Sequence, residues 1–127
     1  MKPLAVEWIE KAECDFATME RESRARKKPN FDAVCFHGQQ CAEKYLKAQM
    51  VEAGIPVPRS HDLVFLLEKV LSVVPMLEFF REDLAYLSDF SVTFRYPGES
   101  ADRETALEGR KRCRLFRMAA RKALGML

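Results

Sequence analysis

An all-α fold, built as an antiparallel up-and-down four-helix bundle with one additional short helix, is the class this sequence predicts. Apolar residues recur every three or four positions through four long segments and a shorter fifth, and no segment shows convincing strand alternation. Glycine and proline are few, five and six, which favours long uninterrupted elements over many turns. Across 127 residues, 48% are apolar and 31% charged, a globular balance, and the length suits a single domain spanning 1–127.

Each element has its own signals. In the first, Ala5, Trp8, Ile9, Ala12, Phe16 and Met19 form one stripe, which runs into the charged stretch "ERESRARKKP". Pro29 and Asn30 break that helix, and Asn30 can cap the next. The second carries Phe31, Val34, Cys35, Gly38, Cys41, Ala42, Tyr45, Leu46 and Met50 on its inward face and stops at Gly54 and "GIPVP". A shorter helix starts near "SHDL", with Ser60 or Asp62 as cap and Leu63, Leu66, Leu67, Val70 and Leu71 behind it. Pro75 opens a further helix through Leu77, Phe80, Leu84, Leu87 and Phe90, closed by the turn in "FRYPGES". Ser100 can cap the last helix, whose inward positions are Ala106, Gly109, Cys113, Phe116, Ala120 and Ala123. Stripes of this width hide against one another, and short connections make neighbours antiparallel.

The net charge of +2 hides an asymmetry. Residues 30–101 hold six basic and ten acidic side chains, a sum of −4, whereas residues 102–127 hold eight basic and three acidic ones, a sum of +5. A basic C-terminal helix suits an acidic partner, whether RNA, nucleotide phosphates or a protein surface, or is simply a solvated face. Cys14, Cys35, Cys41 and Cys113 show no CxxC pairing and sit among apolar residues, as small buried hydrophobes would. That usage suits a reducing cytoplasm, as does an N-terminus charged too early for a secretory signal. The longest apolar runs, such as "LVFLL", fall far short of the roughly 20 residues that span a bilayer. No phosphate-binding glycine loop and no HExxH or Glu-x-x-His pair is present, so neither a cofactor nor a metal is expected. With two histidines, His37 and His61, chemistry needing several is excluded.

Three features remain as candidates for function. On the second helix, Gln40, Glu43, Lys44 and Lys47 are expected on the face away from the core, with Phe36 one turn earlier as an aromatic contact residue. Glu43 and Lys47 stand at i,i+4 in the favourable order, worth about 0.2–0.5 kcal/mol on an exposed face. In the turn, Arg95 and Tyr96 sit at a bundle end. If helix directions alternate, they approach Asp32, His37 and Gln40, where arginine offers a fork for phosphate or carboxylate. On the last helix, Arg103, Arg110, Arg114, Arg117 and Arg121 form a row about 30 Å long. Like charges at i,i+4 repel, so the row needs an acidic partner or a neighbouring helix to offset it.

"CFHGQQCAEKYLKAQMVEAG", then "SHDLVFLLEKV", then "RYP" resembles the HEPN domain family (higher eukaryotes and prokaryotes nucleotide-binding) over roughly residues 5 to 124. The resemblance implies a helical bundle that commonly dimerises, often encoded beside a minimal nucleotidyltransferase in a toxin–antitoxin-like module. It carries ligand-binding roles onto Gln40, Lys44, Lys47, His61, Arg95 and Tyr96. Some members are metal-independent ribonucleases using an arginine followed four to six residues later by a histidine. Here His37 has no arginine at that distance before it, and His61 has only Arg59, two residues earlier. A non-catalytic, dimeric module that binds nucleotide, RNA or a nucleotidyltransferase partner is therefore the expected function. A ribonuclease using His61 or His37 with Arg95 is one alternative, since RNA cleavage wants a histidine acid or base and an arginine against developing phosphate charge. The other is an interaction protein that uses the basic last helix, with Arg110, Arg114, Arg117 and Arg121 as its partner-binding row.

Overall fold

A computed structural model describes residues 1–126. Five α-helices follow one another: α1 (Pro3–Ser23), α2 (Phe31–Ala53), α3 (Leu63–Val70), α4 (Arg81–Ser88) and α5 (Arg103–Ala123). No strand occurs among the described residues. The predicted all-α class is what the chain adopts.

Side-chain neighbours give the directions. Glu13 of α1 meets Tyr45 of α2, and Met19 lies beside Gly38, so α1 and α2 are antiparallel. Arg121 meets Tyr45 and Cys113 lies beside Gly38, so α5 runs parallel to α2. Asp83 pairs with Arg112 and the Tyr86 hydroxyl donates to the Thr105 carbonyl, so α4 opposes α5. The four principal helices therefore alternate in direction, and α3 is the additional short one.

Gly38 on α2 and Gly109 on α5 admit close neighbours. A Cβ on Gly38 would stand 3.2 Å from the Met19 sulfur and 3.7 Å from the Cys113 Cβ. One on Gly109 would stand 3.4 Å from the Phe90 ring. Leu87 of α4 fills the notch beside both, with its Cδ2 3.8 Å from each Cβ position. This cluster continues through Cys41, Leu46, Leu66, Leu84 and Phe116, all buried.

Local signals placed most helix ends. The Asn30 side chain accepts from the Ala33 N–H, Gly54 takes the left-handed conformation at φ 74°, and Asp62 accepts from the Val64 and Phe65 N–H groups. Three expectations fail. Helix α1 stops at Ser23 with Arg24 as its cap, short of Pro29 and Asn30, and the Ser23 hydroxyl donates to the Glu20 carbonyl there. The single helix expected from Pro75 to Phe90 is a 3₁₀ turn over Pro75–Phe80, then α4, then a 3₁₀ turn over Asp89–Ser91. Around its end the Ser91 and Thr93 hydroxyls donate to the Ser88 and Asp89 carbonyls, competing with helix continuation. The cap of α5 is Asp102, whose carboxylate accepts from the Thr105 N–H at 2.7 Å; Ser100 lies two residues too early. Asp102→Ala should lower the melting temperature by about 2–6 °C, with Ser100→Ala near zero, in a thermal melt followed by circular dichroism.

Of the cysteines, Cys35, Cys41 and Cys113 are buried as expected, and burial pushes the Cys35 thiol up to about 12. Cys14 is exposed, because it lies off the Ala5–Ile9–Ala12–Met19 stripe. No helix among the described residues is long and apolar enough to cross a membrane.

Candidate functional site

Helix α2 is packed by α1, by α5, and by α3 with α4, so it has little free face. The expectation that Glu43 and Lys47 look into solvent is wrong: they are 3% and 6% exposed. Buried charge persists only when paired and hydrogen-bonded, and here the pairing is internal. The Glu43 carboxylate accepts from Lys47 Nζ at 3.0 Å, His61 Nδ1 at 2.9 Å and Gln39 Nε2 at 3.1 Å. Lys47 Nζ also lies 5.5 Å from the centre of the Trp8 ring. Gln40, half-buried, donates to Gln39 Oε1 at 2.7 Å, and so serves the same network.

Asp15 on α1 repeats the device. It accepts from Lys44 Nζ at 2.5 Å and His37 Nδ1 at 2.7 Å, which leaves Lys44 half-buried and paired rather than open. Burial raises the Asp15 carboxyl, but the bonds from His37 and Lys44 outweigh it and hold the group below its ordinary range. A carboxylate only accepts, so each histidine offers a proton from Nδ1 and keeps Nε2 for another contact.

Arg95 and His37 line the same cleft, as alternating helices allow. An open cleft of about 450 Å³ lies between the start of α2 and the turn after α4, lined by Phe36, His37, Phe90, Phe94 and Arg95. Asn30 and Asp32 complete its rim, but their side chains are occupied by the Ala33 and Ala101 N–H groups. Phe36 is not the exposed aromatic expected; it is half-buried, its ring edge-on to His37 at 5.2 Å. Arg95 is exposed, and no ion pair engages it among the described residues. Tyr96, 71% exposed, and Gln40 lie outside this lining. His61 lines a different depression of about 520 Å³ with Asp62, Ser88 and Asp89, so Arg95 shares a cleft with His37 and not with His61.

Of the arginine row, Arg103 is exposed, but Arg110, Arg114, Arg117 and Arg121 are engaged within the chain. Arg114 forks onto Glu20, Arg117 forks onto Glu13 at 2.6 and 2.7 Å, and Arg110 donates to Ser23 at 2.9 Å. Arg121 donates to the Tyr45 hydroxyl at 3.0 Å, and Arg117 covers the Phe16 ring at 4.0 Å. The bidentate contacts that arginine suggested do form, but on acids of α1, which supply the offset the like-charge row needs. Hydrogen bonds from Arg114, against burial, hold Glu20 below the ordinary carboxylate range. For Glu13, burial pushes up, and bonds from Arg117 and Tyr45 more than reverse it. Groups lowered on folding stabilise above their unfolded value, near pH 4, and lose that contribution as pH falls through the folded one. Glu20→Gln protein should thus melt lower than wild type at pH 7, with the gap closing below pH 4, in thermal melts across pH.

Glu13, Asp15, Glu20 and Gln39 were missed as participants. A signal existed: Asp15 stands three after Ala12 and four before Met19, and Gln39 four after Cys35 and three before Ala42, on core-facing stripes. Among the described residues, no group of three or more His, Cys, Asp or Glu is placed to hold a metal ion.

A helical bundle with two buried carboxylates, each paired to a histidine and a lysine, and a cleft lined by an arginine, a histidine and aromatic rings defines the class structurally. The chain belongs to the HEPN domain family, whose model matches residues 5–123. Among solved structures it is similar to TT1696 from Thermus thermophilus, at 22% identity and a TM-score of 0.81, over 94% of this chain and 97% of that one. That likeness shows the fold. No curated protein matches the chain.

Proposed function

We propose that the chain is a non-catalytic HEPN module that works as a cytoplasmic dimer, holds a nucleotide or an RNA end in the Arg95 cleft, and serves a minimal nucleotidyltransferase partner in a toxin–antitoxin-like pair. The observation that carries the binding half is the guanidinium of Arg95, uncommitted beside His37, in a cleft walled by Phe36, Phe90 and Phe94. Arg110, Arg114, Arg117 and Arg121, by contrast, are bound to acids or hydroxyls of the same chain. An arginine fork takes a phosphate, and aromatic walls take a base by stacking worth about 1–3 kcal/mol. In calorimetric titration with ATP, Arg95→Glu should weaken binding by about tenfold or more, and Phe36→Ala by less. No heat with wild-type protein, or equal affinity in Arg95→Glu, would refute the nucleotide reading.

One observation favours the ribonuclease alternative: His37, oriented through Nδ1 by Asp15, lines the same cleft as Arg95. Labelled RNA incubated with the protein and a chelator should stay intact on our reading. Cleavage that disappears in His37→Ala protein would instead establish the nuclease.

A further inference from the structure

Helix α5 carries a second stripe, on the side turned away from the core. Lys111, Leu115, Met118 and Lys122 recur at steps of four, three and four, and all are exposed, Leu115 at 46% and Met118 at 57%. This is the spacing of a helix-pairing seam, two apolar residues with a cation at each end. Met118 also borders a cleft of about 490 Å³ between α1 and α5, where Phe16 lies beneath Arg117 among the paired Glu20 and Arg114.

Charge decides what can lie there. From Gly109 to Ala123 the helix holds seven bases and no acid. Arg114 and Arg117 are neutralised by Glu20 and Glu13, and Arg112 by Asp83 and Glu108. Neither lysine of the seam has an ion-pair partner among the described residues. A second copy laid on this seam, in either direction, sets lysine against lysine; the nearest acids on the face are Glu108, already paired with Arg112, and Glu104, two turns before Lys111 and beyond the seam. An RNA strand would meet the lysines, but it would bury Leu115 and Met118 against phosphates and find the arginine forks occupied. An amphipathic helix with apolar anchors and acidic flanks satisfies both the apolar pair and its cations.

We infer that the Lys111–Leu115–Met118–Lys122 ridge of α5 docks an acidic amphipathic helix of a heterologous protein partner. This gives the partner half of the proposed function a surface, and failure of the nucleotide titration leaves it standing. The test uses full-length protein and a fluorescein-labelled helical peptide with leucines at i, i+3 and i+7 flanked by glutamates. Its glutamate-to-lysine counterpart and a short single-stranded RNA serve as comparisons. The acidic peptide alone should raise anisotropy, and Leu115→Glu/Met118→Glu or Lys111→Glu/Lys122→Glu should weaken it by about tenfold. Both double variants should melt like wild type, since the four side chains are exposed. Absence of peptide binding, or binding unchanged in both variants, would overturn the inference. So would RNA binding lost in Leu115→Glu/Met118→Glu, or a wild-type dimer that dissociates in that variant by sedimentation velocity.

Discussion

Glu43→Ala is expected to destabilise the protein by about 3–5 kcal/mol, a large share of the roughly 5–15 kcal/mol that holds a domain folded. The lost carboxylate is 3% exposed and accepts from Lys47, His61 and Gln39. Without it, the Lys47 ammonium stays buried with no counter-charge, and Gln39 keeps only the His61 carbonyl as acceptor for its amide. Most of the cost is the penalty of that orphaned charge rather than the net value of the ion pair. Replacing both partners, as Glu43→Leu/Lys47→Leu, should therefore recover much of the loss. Urea denaturation measures all three proteins. A Glu43→Ala cost below about 1 kcal/mol would mean that water reaches Lys47 and that α2 is not enclosed.

Leu87→Ala should cost about 3–4 kcal/mol by the same method. Leu87 is fully buried and occupies the notch that Gly38 and Gly109 leave between α2 and α5. Both neighbours there lack a Cβ, so little nearby side chain can relax into the vacated space, and the cavity term persists. Leu115→Ala, a change of the same size on the exposed ridge, should stay within about 0.5 kcal/mol. Equal costs at the two positions would contradict the packing described.

What could be read in the sequence was what depends on near neighbours. The Asn30, Gly54 and Asp62 helix ends each need only residues within a turn, and each formed. Helix directions alternate as short connections suggest, and Arg95 shares a cleft with Asp32 and His37, but Tyr96 and Gln40, expected beside them, lie outside it. The face of α2 could not be read that way, because the rule of one buried and one wet side assumes that only one side is packed. Helix α2 has neighbours around most of its girth, and its Lys47 is buried because Glu43 and Trp8 are there to receive it. The arginine row misled for a related reason. The acids that hold Arg114 and Arg117 lie on α1, more than 90 positions earlier, and no spacing rule within α5 can find them. Asp15 and Gln39 were legible in part, as polar residues on apolar stripes. Which groups they would meet depended on tertiary packing.

The nucleotide site proposed above is the cleft of Phe36, His37, Phe94 and Arg95. Nuclear magnetic resonance of isotope-labelled protein titrated with ATP tests it most directly. Amide and side-chain signals of these four residues should move together and saturate, and those of Ser88, Asp89 and His61 should stay in place. Saturable shifts confined to the His61 depression, or no shifts at all, would contradict it.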